Sequence, residues 1–580
     1  MPDDTVLLER HFNTAFAAPN GIQKLRELIL TLAMQGKLVP QDPKDQPASE
    51  LLKAIEAEKQ RLLKEGKIKQ PKLLSEIEIM EMPYQLPKDW KWAKLGDVMF
   101  EAMTGIDRGK QFQSKSNEYP YFKMNNISNS GCCDFSNVTR INYEGSDHEK
   151  YVLREGDFLF NTRNSRELVG KTCIFKRPNN EQWFFNNNIL RIDLPDLILN
   201  HFVNFWFLSP LGKSELEKLK SATTNVAAVY QGKLVSFPIP LPPLAEQRRI
   251  VAKIDRLMAR CDELEKLRVE RNQKRITIHT AALNRLLNAK ESNDFSTAWR
   301  FITQHFGELY SVKENVAELR KAILQLAVMG KLVPQDPTDE PASELLRAIA
   351  AEKQQLVKEG QIKQPKSLPK IKMEDMPYTL PKVWEWIRLG TVVISSHAGR
   401  SPQCLPGRRT GNEWGVLKVS AVSWGTFDPN ENKALPPGMQ PRLEDEVKVG
   451  DFLLSRANTE ELVARSVVVK HTPPNLMISD KTVRLIISDQ VDKQFINTAH
   501  LSNHARTYYA SNASGTSSSM KNVSREIMYQ LPIPLPPLAE QRRIVAKIDQ
   551  LMALCNHLDQ QIDAATGKQS ALLNAVMAQV

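Results

Sequence analysis

Apolar side chains along this chain follow two rhythms that alternate. Ile250, Ile254, Leu257, Cys261 and Leu264 step by four, three, four and three residues, and Ile544, Ile548, Leu551, Cys555, Leu558 and Ile562 repeat those steps and add a four. That 3.5-residue period predicts a helix with a coiled-coil seam. Pro242-Pro243 cannot continue a strand ladder but suits a helix start. The first long helix is therefore placed from 245 to about 289, roughly 67 Å at 1.5 Å per residue. A second helix is expected over 313–329, with Leu319, Ile323 and Leu326 on one face and Gly330 as its C-cap. Its counterpart carries Leu25, Ile29 and Leu32 and ends at Gly36. A short third helix follows Ser49, and again Ser343, with Leu51, Leu52, Ile55 and Leu62 on one stripe.

Between the helices the period changes to that of strands. Runs such as TCIF, ILRIDL, RSVVV and TVRLII alternate with Asn-, Ser- and Gly-rich connections. Each such region opens after an LPxxWxW phrase, at Leu86-Pro87 and Leu380-Pro381, and closes at PIPLPP. Both read as compact α/β domains with polar loops.

The chain is an internal repeat. AMQGKLVPQDPKDQPASELLKAIEAEKQ returns as AVMGKLVPQDPTDEPASELLRAIAAEKQ, so that Gly36 maps to Gly330 at an offset of 294 residues. PIPLPPLAEQRRIVAKIDRLMA from Pro238 to Ala259 returns at Pro532 to Ala553 at the same offset, changed only at Arg256/Gln550. Weaker echoes keep phase: His11-Phe12 with His305-Phe306, Trp90 and Trp92 with Trp384 and Trp386, Gly105 with Gly399, and GDFLF at Gly156 with GDFLL at Gly450. Residues 97–236 and 391–530 otherwise share little. Uniform drift after a duplication would spread the differences evenly. Near-identical helices flanking nearly unrelated domains imply like surroundings for the helices and different surroundings for the domains.

Composition narrows the function classes. With 78 basic and 67 acidic side chains the net charge is +11, which suits a polyanionic partner without demanding one. The six cysteines, at 132, 133, 173, 261, 404 and 555, form no CxxC pair and read as reduced thiols of a cytosolic protein. MPDDTVLLERHF places acids where a signal peptide needs bases, and no apolar run approaches the roughly 18 residues of a membrane span. A soluble, cytoplasmic protein is expected. The sequence has no GxxxxGK[ST], HExxH or GxSxG motif and no DPPY- or NPPF-type tetrapeptide. Catalysis is not expected of this chain.

Candidate chemistry sits in the variable loops. The first domain offers Lys123, Asn125, Asn126, Asn161, Arg163, Asn164, Arg166 and Asn186 to Asn188; the second offers Arg400, Arg408, Arg409, Lys418, Arg456, Asn458, Lys481 and Arg484. Forked Arg and Asn side chains pair bidentately with guanine and adenine edges, whereas Lys more often holds phosphates, which position without specifying.

Two variable domains between repeated helices, each closed by PLPPLAEQRRIVAKID and accompanied by AxxGKLVPQ, resemble the specificity subunits of type I restriction–modification enzymes. The resemblance covers essentially the whole chain, and the GKLVPQDP…PASELL…EKQ insert resembles the sub-branch called type IB. It implies an α+β fold in which two globular target recognition domains, 85–240 and 379–534, are separated by long antiparallel coiled-coil helices in a pseudo-two-fold tandem repeat. Helical regions 1–84, 241–378 and 535–580 complete the division. The resemblance further implies double-stranded DNA, two methyltransferase subunits and two restriction/motor subunits as partners. S-adenosylmethionine, ATP and magnesium would sit in those partners, and this chain would carry no cofactor or metal. Partner binding would fall on Leu25, Ile29, Leu32, Ile250, Ile254 and Leu257, and on Leu319, Ile323, Leu326, Ile544, Ile548 and Leu551. Helix length would act as a ruler between two unlike half-sites, about 34–36 Å apart if read from one duplex face. The two ends of the chain, at equivalent repeat positions, would lie close together. A stand-alone bipartite DNA-binding regulator and an enzyme with unrecognised motifs are the rival classes.

Overall fold

A computed structural model describes residues 16–578 apart from 71–73, 76, 79–81, 223–225, 290, 424 and 518–519. The repeat partner His11-Phe12 lies outside the described residues. The chain divides into two compact units, one of residues 1–271 with 565–580 and one of residues 272–564. Both boundaries fall inside the long helices, and Ala565 stands 294 residues after Arg271. The first unit thus takes its final helical stretch from the far end of the chain, so the helical region 535–580 is shared between units.

In the first unit α1 (Gly21–Met34) and α2 (Ala48–Lys64) precede β1 (Lys91–Lys94), β2 (Glu101–Thr104), β3 (Tyr119–Phe122) and β4 (Thr139–Ile141). Then come β5 (Phe158–Asn161), β6 (Arg163–Asn164), β7 (Thr172–Ile174), β8 (Phe184–Phe185) and β9 (Ile189–Asp193). After α3 (Asn200–Leu208) and α4 (Pro210–Leu219), β10 (Ser221–Ala222), β11 (Ala227–Ala228) and β12 (Pro238–Leu241) lead into α5 (Leu244–Asn288). The sheets have orders β2-β9-β5-β7, β4-β3-β8, β10-β11-β6 and β1-β12. The last of these ties the two ends of the domain together, with Trp92 opposite Pro240. A two-stranded sheet leaves each strand a free edge, which is where proline, lacking an N–H, is tolerated.

The second unit opens with α6 (Ser292–Gln304), α7 (Lys313–Val328) and α8 (Ala342–Lys358). Its strands are β13 (Glu385–Arg388), β14 (Val393–Ala398), β15 (Gly415–Leu417), β16 (Asn432–Ala434), β17 (Phe452–Ser455), β18 (Ala457–Asn458), β19 (Ser466–Val468), β20 (Leu476–Met477) and β21 (Thr482–Ile487). These are followed by α9 (Lys493–His500), α10 (Asn503–Asn512), β22 (Ser514–Ser517), β23 (Met520–Asn522), β24 (Pro532–Leu535) and α11 (Leu538–Ala578). The sheet orders β14-β21-β17-β19, β16-β15-β20, β18-β23-β22 and β13-β24 reproduce the first unit strand for strand. Two domains with little sequence in common therefore share one α+β topology. The GDFL echo is legible in it: β5 and β17 are central strands buried at every residue.

The seam on the long helices is used inside each unit. Ile250, Ile254 and Cys261 are buried, with Leu257 packed beside them, against α1 residues Ile29, Leu30 and Ala33 and domain residues Trp90 and Phe202. Ile544, Ile548 and Cys555 occupy the same place in the second core, with Leu551, Leu558 and Ile562 against it. Leu264, expected in the seam, is 46% exposed, and Leu267 and Val269 after it are exposed as well. The buried stripe thus runs about three turns in the first unit and about five in the second, and in each it faces that unit's own core.

Candidate nucleic-acid interface

Each variable domain raises a loop from a glycine with no room for a side chain. A Cβ on Gly105 would lie 2.0 Å from the Phe185 carbonyl oxygen, and one on Gly399 2.0 Å from that of Ile478. In the first unit Tyr121 donates to the Ile106 carbonyl at 2.7 Å, and Asn186 Nδ2 donates to the Tyr121 hydroxyl at 2.7 Å. Further along the loop, Gln113 Nε2 donates to the Arg108 carbonyl at 2.6 Å while Gln113 Oε1 accepts from Lys123 Nζ at 3.0 Å. The backbones of Ser114 and Arg140, on β4, pair at 3.1 and 3.0 Å. In the second unit Leu405 N donates to the Ala434 carbonyl at 3.0 Å and Ala434 N to the Gly407 carbonyl at 2.9 Å. Ala434, on β16, stands 294 residues after Arg140.

A second surface forms where β6 and β18 meet their hairpins. Arg163 is exposed on β6 beside Asn164, and Thr162 N and Oγ1 both donate to the Asn188 carbonyl, at 2.9 and 3.0 Å. In the second unit the exposed Arg456 precedes β18, and its N–H donates to the carbonyl of the exposed Lys481 at 2.9 Å. Asn458 Nδ2 donates to Ser423 Oγ at 2.9 Å. Lys418, Lys433 and Lys481 line one cleft of about 520 Å³ with Ser401 and Ser420, Lys418 lying 3.6 Å from Glu431.

Of the residues expected to touch DNA, Asn125, Arg163, Arg400, Arg408, Arg456 and Lys481 are exposed on these loops and edges. Lys123, Asn164, Lys418 and Asn458 are half-buried there; desolvation, then the charge of Lys110, lowers the Lys123 ammonium pKa. Arg166 is exposed but paired with Glu217 at 2.7 Å. Four others are structural. Asn126 accepts from Lys123 N at 2.9 Å and donates to the Asp134 carbonyl at 2.8 Å, bracing its own turn. Asn161 is fully buried in β5, its amide without a hydrogen-bond partner among the described residues. Asn186 braces the loop root described above. Arg484 is buried against Asp451 of GDFL at 2.9 Å and donates to the Glu444 carbonyl at 2.9 Å. Each was expected outside because amides and guanidiniums crowd loops. Asn126, Asn186 and Arg484 are inside because a turn or strand end left backbone groups to satisfy, whereas Asn161 is simply part of a fully buried strand.

The expected partner-binding side chains are corrected in the same way. Ile29, Ile250, Ile254, Ile323, Leu326, Ile544 and Ile548 are buried in this chain's own cores. Leu25, Leu32, Leu257, Leu319 and Leu551 pack against those cores. None presents a free apolar face.

Sequence reasoning missed a polar clamp that explains both repeated phrases. Glu246 accepts from Trp90 Nε1 at 3.0 Å and from Gln41 Nε2 at 2.6 Å. Gln247 accepts from Leu199 N at 3.0 Å and donates to the Pro242 carbonyl at 3.0 Å, and Arg249 pairs with Asp45 at 2.6 Å. The second unit repeats it: Glu540 accepts from Trp384 at 2.8 Å and Gln335 at 2.6 Å, Gln541 accepts from Asp492 N at 2.9 Å, and Arg543 pairs with Asp339 at 2.5 Å. Burial pushes both glutamates upward from the usual carboxylate range, against those hydrogen bonds. AEQRR and VPQDP are thus two sides of one junction. Their joint persistence at one offset was the available signal.

These features define a duplicated recognition protein, with two like-built, differently surfaced domains mounted on like helices by like clamps. The comparisons give the family. The type I restriction modification DNA specificity domain matches residues 87–272 and 479–565. The EcoEI specificity subunit of Escherichia coli is 35% identical over 566 residues, 96% of this chain and 93% of that one. The EcoAI specificity subunit of the same organism is 33% identical over 570 residues, with the same coverages. Among solved structures, the HsdS subunit of Thermoanaerobacter tengcongensis is 19% identical, with a TM-score of 0.41 over 86% of this chain and 99% of that one. The chain belongs to the specificity subunits of type I restriction enzymes. No described helix is long and apolar enough to cross a membrane.

Proposed function

We propose that this chain is the non-catalytic, DNA-reading subunit of a type I restriction–modification complex, working in the cytoplasm. Domain 85–240 reads one half of an interrupted DNA site and domain 379–534 the other. Identical clamps holding differently surfaced loops at one offset carry this reading. The long helices fix the gap between halves and hold two methyltransferase subunits, which bring S-adenosylmethionine. Two motor/nuclease subunits bring ATP and magnesium.

Since the seam is occupied, methyltransferase docking moves to the opposite helix face. Ala245, Arg248, Ala252, Asp255 and Ala259 are exposed at steps of three and four, and the identical Ala539, Arg542, Ala546, Asp549 and Ala553 are exposed in the second unit. Identical residues in like positions suit two copies of one partner, whereas a stand-alone regulator has no use for them. Sequencing modified bases in DNA from cells that carry the whole system tests the proposal. Two unlike short motifs at a fixed gap are expected; a single continuous or palindromic motif would refute it.

A further inference from the structure

Two apolar side chains stand out of loops that are otherwise polar and basic. Phe112 is 60% exposed within Arg108-Gly109-Lys110-Gln111-Phe112-Gln113, and Leu405 is 43% exposed within Gln403-Cys404-Leu405-Pro406-Gly407-Arg408. They occupy like places, each on the loop that leaves Gly105 or Gly399 and returns to pair with Arg140 or Ala434. The loop sequences differ almost completely, yet each keeps an exposed apolar tip.

Neither tip is loosely held. Phe112 N donates to the Gly109 carbonyl at 3.0 Å, and the Phe112 carbonyl accepts from Asn117 Nδ2 at 3.1 Å. Leu405 is pinned through its own N–H to Ala434 at 3.0 Å. Rigid backbone behind an exposed aromatic keeps the ring in water rather than letting it fold back, which is the preorganisation a binding site needs. Arg108, Lys110 and Lys115 neighbour Phe112 along its loop, and Arg400 and Arg408 flank Leu405 in sequence. Arg108 lies over the Tyr143 ring at 5.3 Å, while Lys110, Lys115, Arg400 and Arg408 have no ion pair among the described residues. An exposed apolar tip on a loop rich in Lys and Arg fits an apolar gap between phosphates. It does not fit an apolar protein surface.

We propose that Phe112 is a wedge that enters a step between base pairs of the DNA read by the first domain, and that Leu405 does the same for the second. This rests on the DNA-reading function above. Inserted apolar side chains partly unstack a step and kink the duplex, while neighbouring cations hold the flanking phosphates. The exposed Gln111 beside the ring offers an amide to a base edge.

The test uses the assembled methyltransferase complex and a short duplex bearing the mapped site, with 2-aminopurine placed in turn at each position of both halves. On binding, fluorescence should rise several-fold at one step of the first half. Phe112→Ala should abolish that rise and weaken binding about tenfold or more. The slope of log affinity against log salt should stay unchanged, since no charge is lost. Phe112→Trp should restore the signal, and Leu405→Ala should act only in the other half. Unchanged fluorescence with affinity within about twofold of the parent for Phe112→Ala would overturn the wedge. So would a defect confined to association between protein chains. Failure of the unaltered complex to bind the duplex would instead strike the DNA-reading function itself.

Discussion

His500 closes α9 with its ring wholly inside the second unit, bonded to Ser466 Oγ at 3.0 Å and Tyr509 OH at 2.8 Å. Burial first, then the nearby Arg506 and Arg465, hold its pKa down at about 3. The unfolded chain takes up this proton near the ordinary histidine value, so the unfolded state binds more protons between that value and 3. Stability of the second unit should therefore fall as pH drops through this window, with a slope of up to about 1.4 kcal/mol per pH unit. The corresponding residue of the first unit is Trp206, which does not titrate. Denaturant unfolding from pH 7 to pH 4 should show the effect in the parent and its loss in His500→Gln; equal slopes in both would contradict it. Residue roles were the least legible part of the sequence. Asn125 and Asn126 are neighbours in one loop, yet one faces water and the other satisfies three backbone groups. Composition cannot separate them, because the difference is made by which carbonyls a turn leaves unpaired.

Elements were far more legible, because periodicity records which face is buried. The 3.5-residue stripe placed α5 and α11 almost to the residue. What covers it in each unit is the helix's own domain, since a coiled-coil seam and a helix face packed on a domain share one pattern over a few turns. The junction of each long helix with its domain is instead set by the glutamate clamp. Glu540→Ala removes one carboxylate and leaves the buried Trp384 Nε1 donor without its acceptor, while the exposed Gln335 amide can turn to water. At about 1–3 kcal/mol for one buried unsatisfied donor, it should cost the second unit roughly that amount and lower its melting temperature by a few degrees. Glu246→Ala should do the same to the first unit. A loss under about 0.5 kcal/mol, the range of a surface substitution, would show that the clamp is not what fixes the domain on its helix.

At the scale of the molecule each unit has a helical junction built from equivalent repeat positions. Leu573 of α11 is buried against Phe16, Ala18 and Leu28 in the first unit. The positions 294 earlier and later, His279 and Tyr310, bond at 3.1 Å in the second unit. One junction is built from two distant stretches of chain and the other from nearby ones, with the same parts. A circular permutant opened near Glu291, its original ends joined, should fold and melt within a few degrees of the parent; an unfolded or aggregated product would contradict the equivalence of the two junctions. The pairing of these two distant stretches was readable from the offset alone, while the ends themselves lie outside the described residues; the DNA-facing surface was readable only to the level of loops.

The central claim is that like helices carry independent readers. The measurement that tests it most directly exchanges residues 97–236 for the corresponding domain of another specificity subunit and maps modified bases in cells carrying the hybrid system. One half of the site should change to the donor's, while the other half and the gap stay as they were. A change in both halves, or in the gap, would contradict the account.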